Sequence, residues 1–74
     1  MSPLSSCRSG QTVVIQSLSG GRVFRQRLID MGFCPGEMLE VINTGGGPVI
    51  VRIKGSRIGI GRGMARGIMV KEGL

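Results

Sequence analysis

Histidine, tyrosine and tryptophan are absent from this chain of 74 residues, and only four of its side chains are acidic. A cysteine nucleophile would therefore have no imidazole to act as its base. The four carboxylates form no acid–base pair that the sequence reveals. We therefore predict that the protein is not an enzyme.

Cysteine is scarce as well, since Cys7 and Cys34 are the only two in the chain. Two cysteines make no disulfide framework, and without a Cys-x-x-Cys pair we expect no structural zinc site. We predict two free thiols in a reducing compartment, no metal site and no cofactor. Five methionines leave a soft metal site as an alternative, although their spacing is typical of residues that fill a core.

Long apolar runs are missing too. No segment approaches the roughly 18 apolar residues that a membrane-spanning helix needs, and no secretory signal is visible at the N-terminus. We therefore predict a cytoplasmic protein. The apolar fraction of 41% is enough for one small core. We predict a single domain over residues 1–74, in which residues 1–9 form a lead-in segment.

Positive charge is what the chain has in excess. Eight arginines and two lysines against four acids give a net charge of +6, which favours nucleic acid, anionic lipid or an acidic protein surface as partner. Proteins that bind single-stranded nucleic acid usually add stacking aromatic side chains. Phe24 and Phe33 are the only aromatics and are better placed for the core. We therefore predict no nucleic-acid partner.

The pattern of apolar residues predicts a small sheet that curls on itself, with one helix. Five segments have the β-branched or alternating pattern of strands, namely 11–18, 38–43, 49–54, 57–61 and 68–71. Apolar residues at positions 24, 28 and 31 predict a helix over 22–31. A two-residue turn at Gly55–Ser56 is expected between the third and fourth strands. Residues 62–67 predict a single helical turn.

The segment 27–36 is the most distinctive part of the chain. Gly32 stands where the chain needs a positive φ to leave the helix, and Phe33 can fold back onto Leu28. Pro35–Gly36 then supplies a turn into the next strand.

This segment and several others resemble the FeoA family. The resemblance runs from about Leu4 to Val70, and its strongest block has the form Arg-Leu-x-Asp-x-Gly-x-x-Pro-Gly. The segments that carry it are Leu4, Gly10–Gln11, 15–21, 27–36, 48–49, 52–58, Ala65 and 68–70. The same module resembles the C-terminal domain of iron- or manganese-dependent repressors.

The resemblance implies an SH3-like, five-stranded β-barrel with one short inserted α-helix, hence a mainly β fold. It also implies association with FeoB, a membrane transporter of ferrous iron that has a cytoplasmic GTP-binding domain. The family has no established catalytic residues, and the resemblance assigns none here.

Our leading hypothesis is a non-enzymatic accessory protein that binds FeoB at the inner face of the membrane and promotes uptake of Fe²⁺. It would reach the membrane only through that partner. The predicted contact residues are Arg22, Arg25, Arg52, Lys54 and Arg57. A small basic RNA-binding barrel and a metal-binding sensor or chaperone remain alternatives. Open strand edges would also allow self-association.

Overall fold

Six antiparallel strands form one sheet in the computed structural model, which describes residues 1–73. The strands are β1 (Ser2–Pro3), β2 (Thr12–Leu18), β3 (Met38–Asn43), β4 (Val49–Ile53), β5 (Ser56–Ile60) and β6 (Ile68–Glu72). Their order across the sheet is β1-β6-β2-β3-β4-β5. Helix α1 (Arg22–Asp30) connects β2 to β3, and the four-residue helix α2 (Arg62–Ala65) connects β5 to β6. None of the helices in the described range is long and apolar enough to cross a bilayer.

One face of the sheet lines the core, because apolar and polar residues alternate along the strands. In β4, for example, Val49, Val51 and Ile53 are buried while Arg52 is exposed. The core is aliphatic apart from one phenylalanine and one cysteine. Its buried side chains are Leu4, Cys7, Val13, Ile15, Leu28, Phe33, Leu39, Val41, Val49, Val51, Ile53, Ile60, Ala65, Ile68 and Val70.

Two irregularities bend the sheet around this core. One lies between Ile15 and Ser17, where β2 pairs with β6, and the other between Val41 and Asn43, where β3 pairs with β4. A bulge increases the local twist and lets a short sheet curl. Within residues 1–73, β1 and β5 each pair with a single neighbour, so the curled sheet keeps two edges.

The lead-in segment is part of the fold, and the strand count is therefore six, not five. Ser2 and Pro3 pair with β6, and Leu4 is fully buried. The hydroxyl of Thr44 donates to the carbonyl of Cys7 at 3.0 Å, and the N–H of Gly10 donates to the carbonyl of Val41 at 2.7 Å. These contacts join segments far apart in the sequence, which local patterns cannot reveal.

Helix α1 ends as the sequence predicts. Gly32 has a φ of +102°, and its N–H donates to the carbonyl of Ile29 at 2.9 Å. The N–H of Phe33 donates to the carbonyl of Leu28, also at 2.9 Å. This pair of bonds is the Schellman arrangement, and the side chains of Leu28 and Phe33 are both fully buried beside it.

The turn between β4 and β5 lies one residue earlier than predicted. Ile53 pairs with Ser56, so the two-residue loop is Lys54–Gly55 instead of Gly55–Ser56. Both loop residues have positive φ, +52° for Lys54 and +78° for Gly55. That is the type I′ turn, whose twist matches that of the strands it joins. The prediction was wrong because it assumed that glycine comes first in the loop.

Candidate protein-docking surface

The arginines at the start of α1 are exposed, and within residues 1–73 no acidic side chain balances them. Arg22 and Arg25 form no ion pair with any carboxylate of residues 1–73. The nearest acid on the helix, Asp30, accepts a hydrogen bond from the amide of Gln26 at 2.9 Å instead. The first turn of α1 contains no acidic residue. Because the N-terminus of a helix carries a partial positive charge, Arg22 and Arg25 add to a field that already attracts carboxylates.

A shallow groove of about 380 Å³ runs between α1 and the end of β2 and contains both arginines. Ile29, which is 39% exposed, and Pro35 both line this groove. The remaining lining residues are Gln16, Ser17, Leu18 and Gln26. The groove therefore combines two arginines with the apolar side chains of Leu18, Ile29 and Pro35, and protein interfaces are enriched in arginine and in apolar groups.

The opposite side of α1 is also partly apolar. Val23 is 75% exposed, and Phe24 is half-buried next to Met64 of α2. A Cβ atom on Gly20 or on Gly67 would lie only 2.7 Å from the Phe24 ring, so both positions require glycine for this ring to fit. The 24–28–31 stripe predicts the buried side of the helix correctly. The same helical periodicity places Val23 and Ile29 outside that stripe, and this placement is the sequence signal for the two exposed apolar residues.

The other predicted contact residues lie on the β4–β5 hairpin, where acidic neighbours offset two of them. The guanidinium of Arg52 lies 3.3 Å from the carboxylate of Glu40 on β3. The ammonium of Lys54 lies 3.6 Å from the carboxylate of Glu37, just before β3. Arg57 stands directly opposite Arg52 and has no acidic partner among the described residues. The five predicted residues therefore form two groups, one unpaired on α1 and one largely paired on the hairpin.

One arginine outside the predicted set has a structural contact. The guanidinium of Arg62, at the start of α2, donates to the carbonyl of Thr44 in the loop after β3. Arg62 is half-buried, and this bond holds α2 against that loop. The side chain of Arg62 therefore has a structural role in the fold.

The two cysteines lie in different surroundings, and neither forms part of a cluster of acidic, cysteine or histidine side chains within residues 1–73. Cys7 is 9% exposed, and burial raises the pKa of its thiol, which disfavours the thiolate that a metal requires. Cys34 is half-buried in the turn after α1, with its sulfur 3.9 Å from the carbonyl of Ile29. Among residues 1–73, no three side chains of histidine, cysteine, aspartate or glutamate come together as metal ligands.

Comparison with known proteins identifies the family. A family model described as the FeoA domain matches residues 2–72 of the chain. The chain belongs to the FeoA family. The chain is 43% identical over 72 residues to "Putative Fe(2+) transport protein A" of Methanocaldococcus jannaschii, a match that covers 97% of this chain and 88% of that protein.

Solved structures of FeoA proteins confirm the SH3-like fold. A crystal structure of an iron uptake regulatory protein (FeoA) matches with a TM-score of 0.89 and 35% identity, over 96% of this chain and 95% of that one. The solution structure of FeoA from Chlorobium tepidum matches with a TM-score of 0.86 and 28% identity, over 97% of this chain and 70% of that one. A manganese-dependent transcriptional repressor shares the fold alone, with a TM-score of 0.85 and 22% identity over 95% of this chain and 40% of that one.

Proposed function

We propose that this FeoA-family chain acts in ferrous iron transport as an accessory protein that catalyses no reaction itself. It binds the cytoplasmic part of a FeoB transporter, and it reaches the inner membrane only through that partner. Family membership and the relative described as an Fe(2+) transport protein support the role in iron transport. The lack of an imidazole or of a carboxylate pair supports a binding role over catalysis.

The observation that carries the proposal is the unbalanced charge of α1 beside exposed apolar groups. Arg22 and Arg25 line a groove with Ile29, and no acid of the described chain neutralises them. An acidic surface on the partner would be attracted by these charges, and apolar contacts with Ile29 would then hold it. RNA is a less suitable partner, because base stacking needs exposed rings, whereas Phe33 is buried and Phe24 is half-buried against the core.

The test is calorimetric titration of the protein with the purified cytoplasmic domain of FeoB from the same organism. The double variant R22E/R25E should bind at least about tenfold more weakly than the wild type, because two attractive contacts become repulsive. A matched control is R8E/K71E, since Arg8 and Lys71 are exposed and line a separate cleft beside β6. This control makes the same change in net charge and should stay within about threefold of the wild type.

Two results would contradict the proposal. Equal weakening by both double variants would show that only net charge matters and that the α1 surface is not the contact. No binding by the wild type, together with tight and steeply salt-dependent binding of RNA in a filter assay, would favour the RNA-binding alternative.

A further inference from the structure

The β5 strand leaves one edge of the sheet open. Lys54–Gly55 is a two-residue turn, and in such a hairpin the closing pair, Ile53 and Ser56, exchanges both backbone hydrogen bonds. Bonded and non-bonded pairs alternate from there, so the N–H and C=O groups of Arg57 and Gly59 point away from β4. Within residues 1–73 no other strand pairs with β5, and Arg57 and Gly59 are exposed.

The row of side chains that ends at this edge has an incomplete charge pattern. Register places Thr12, Glu40, Arg52 and Arg57 side by side across four strands on the outer face. Glu40 balances Arg52, whereas Arg57 faces only Arg52 on one side and open space on the other. Like charges directly opposite each other destabilise a sheet. A negative charge beyond Arg57 would therefore stabilise the row.

The next position along β5 is different in character. Ile58 lies on the inner face and is half-buried, packed against the rim of the core. An added strand would place its own side chain beside Ile58 on that face. An apolar residue there would extend the core to the new strand. Gly59 has no side chain to obstruct the approach, and only Ile50 leans over it, with its Cδ1 3.0 Å from the position a Cβ would take.

We propose that the edge of β5 binds an extended segment of the partner protein as a seventh strand. The segment carries an acidic residue opposite Arg57 and an apolar residue opposite Ile58. Backbone groups of Arg57 and Gly59 supply the hydrogen bonds, as in other cases of strand addition. This inference rests on the proposed function for the identity of the partner, but the chemistry of the edge can be tested separately.

Neither a second copy of the chain nor the opposite edge suits this role. The β5 segment, Ser56–Ile60, contains an arginine and no acid, so pairing two copies would bring further positive charge to the row. The opposite edge, β1, is only two residues long and includes Pro3, which has no N–H to donate.

The first experiment removes one of the two outward donors, the N–H of Gly59, that only an added strand would use. In Gly59→Pro the outward N–H is lost, while the hydrogen bonds of β5 to β4 are kept because that N–H does not take part in them. The matched control is Gly59→Ala, which adds the same Cβ beside Ile50 and keeps the N–H. Gly59→Pro should bind the FeoB cytoplasmic domain roughly five- to tenfold more weakly than Gly59→Ala. Equal affinities overturn the inference and leave the proposed function standing.

The second experiment does not need the transporter. A synthetic peptide with alternating valine and threonine around one central glutamate serves as a probe, and its lysine counterpart as the control. Amide exchange measured by NMR on the wild type should slow at Arg57 and Gly59 with the glutamate peptide. The lysine peptide should need at least about tenfold higher concentration for the same effect.

The outcomes of the two experiments are distinguishable. Slowed exchange with the peptide, without binding of the transporter domain, would end the proposed function and keep the edge as a strand-binding site. If neither the peptide nor the bound domain slows exchange at these two amides, the inference is overturned. Because this measurement uses the wild type, it tests the inference even when Gly59→Pro does not fold. Slowed exchange on concentrating the protein alone would make a second copy the occupant, which also overturns it.

Discussion

Helix α1 and the β4–β5 hairpin carry similar basic side chains in opposite electrostatic settings. On the hairpin, Arg52 and Lys54 each lie within 4 Å of a glutamate contributed by β3 or by the turn before it, at 3.3 and 3.6 Å. On α1, Arg22 and Arg25 have no such neighbour in the described chain and stand at the positive end of the helix. Two of the three basic residues of the hairpin are thus offset by its own fold, and Arg57 is the exception. On α1 neither Arg22 nor Arg25 is offset within the described chain, and an acidic partner would relieve that excess of positive charge.

The two regions also differ in how they are anchored. The hairpin contributes four buried side chains, Val49, Val51, Ile53 and Ile60. Its two strands, β4 and β5, also pair with each other along their length. Helix α1 contributes a single buried residue, Leu28. A nine-residue helix is not stable alone, so Leu28, the half-buried Phe24 and Met31 and the Schellman ending must hold it against the core. Of these two regions, the one with more unpaired charge is therefore also the one with fewer buried side chains.

The largest expected effect follows from Leu28, the one residue of α1 that is fully buried. Leu28→Ala should lower the free energy of unfolding by about 3 kcal/mol, because it removes a fully buried side chain and leaves a cavity under the helix. Urea denaturation followed by circular dichroism measures the loss. The control is Val23→Ala on the same helix, where the side chain is 75% exposed and the change should stay within about 0.5 kcal/mol. Similar losses in the two variants would show that Leu28 is not the main anchor.

A smaller effect is expected from the glycine that ends the helix. Gly32→Ala should cost about 1–2 kcal/mol of unfolding free energy, because a residue with a Cβ is strained at a φ of +102°. Gly63→Ala, inside α2, is the contrasting change, since its φ is not positive and no atom lies within 4 Å of an added Cβ. That variant should gain about 0.5–1 kcal/mol. Chemical denaturation measures the free energy of unfolding of both variants. A Gly32→Ala protein more stable than the Gly63→Ala protein would contradict this reasoning.

Local chemistry explains which parts of the fold could be predicted from the sequence. The ending of α1 depends on Leu28, Gly32 and Phe33, which lie within six residues of each other, and its hydrogen bonds are those the sequence predicts. Alternation in β4 likewise predicts its buried face. The turn residue Lys54 was missed because lysine rarely adopts a positive φ, here +52°, and only the pairing register forces it to do so.

The features that were missed depend on distant segments. The N-terminal segment is held on the fold by its pairing with β6 and by the hydrogen bond between Thr44 and Cys7, which are 37 residues apart. The partner of Arg52 is Glu40, 12 residues earlier, and the two meet only because β3 and β4 pair in one particular register. Net charge could be counted from the sequence, but the distinction between paired and unpaired arginines could not.

A small effect is expected from the ion pair between Arg52 and Glu40 on the hairpin. Arg52 and Glu40 have side chains that are 49% and 44% exposed, so water screens their attraction. A double-mutant cycle with Arg52→Ala and Glu40→Ala should give a coupling free energy below about 1 kcal/mol, falling further in 0.5 M salt. A coupling well above that value would mean that the hairpin depends on the pair for its stability.

The same glutamate offers a sharper test of what the pair does. Glu40→Gln should change stability by less than about 0.5 kcal/mol but leave Arg52 without its counter-charge beside Arg57. If unpaired charge is what makes α1 a docking surface, this variant should bind the proposed partner, the FeoB cytoplasmic domain, more tightly at low salt, through a faster association rate. Stopped-flow association at two ionic strengths would show it. An unchanged association rate would mean that the pairing of Glu40 with Arg52 does not weaken the attraction of the hairpin for the partner. The difference in charge pairing between hairpin and helix would then not explain which of the two surfaces docks.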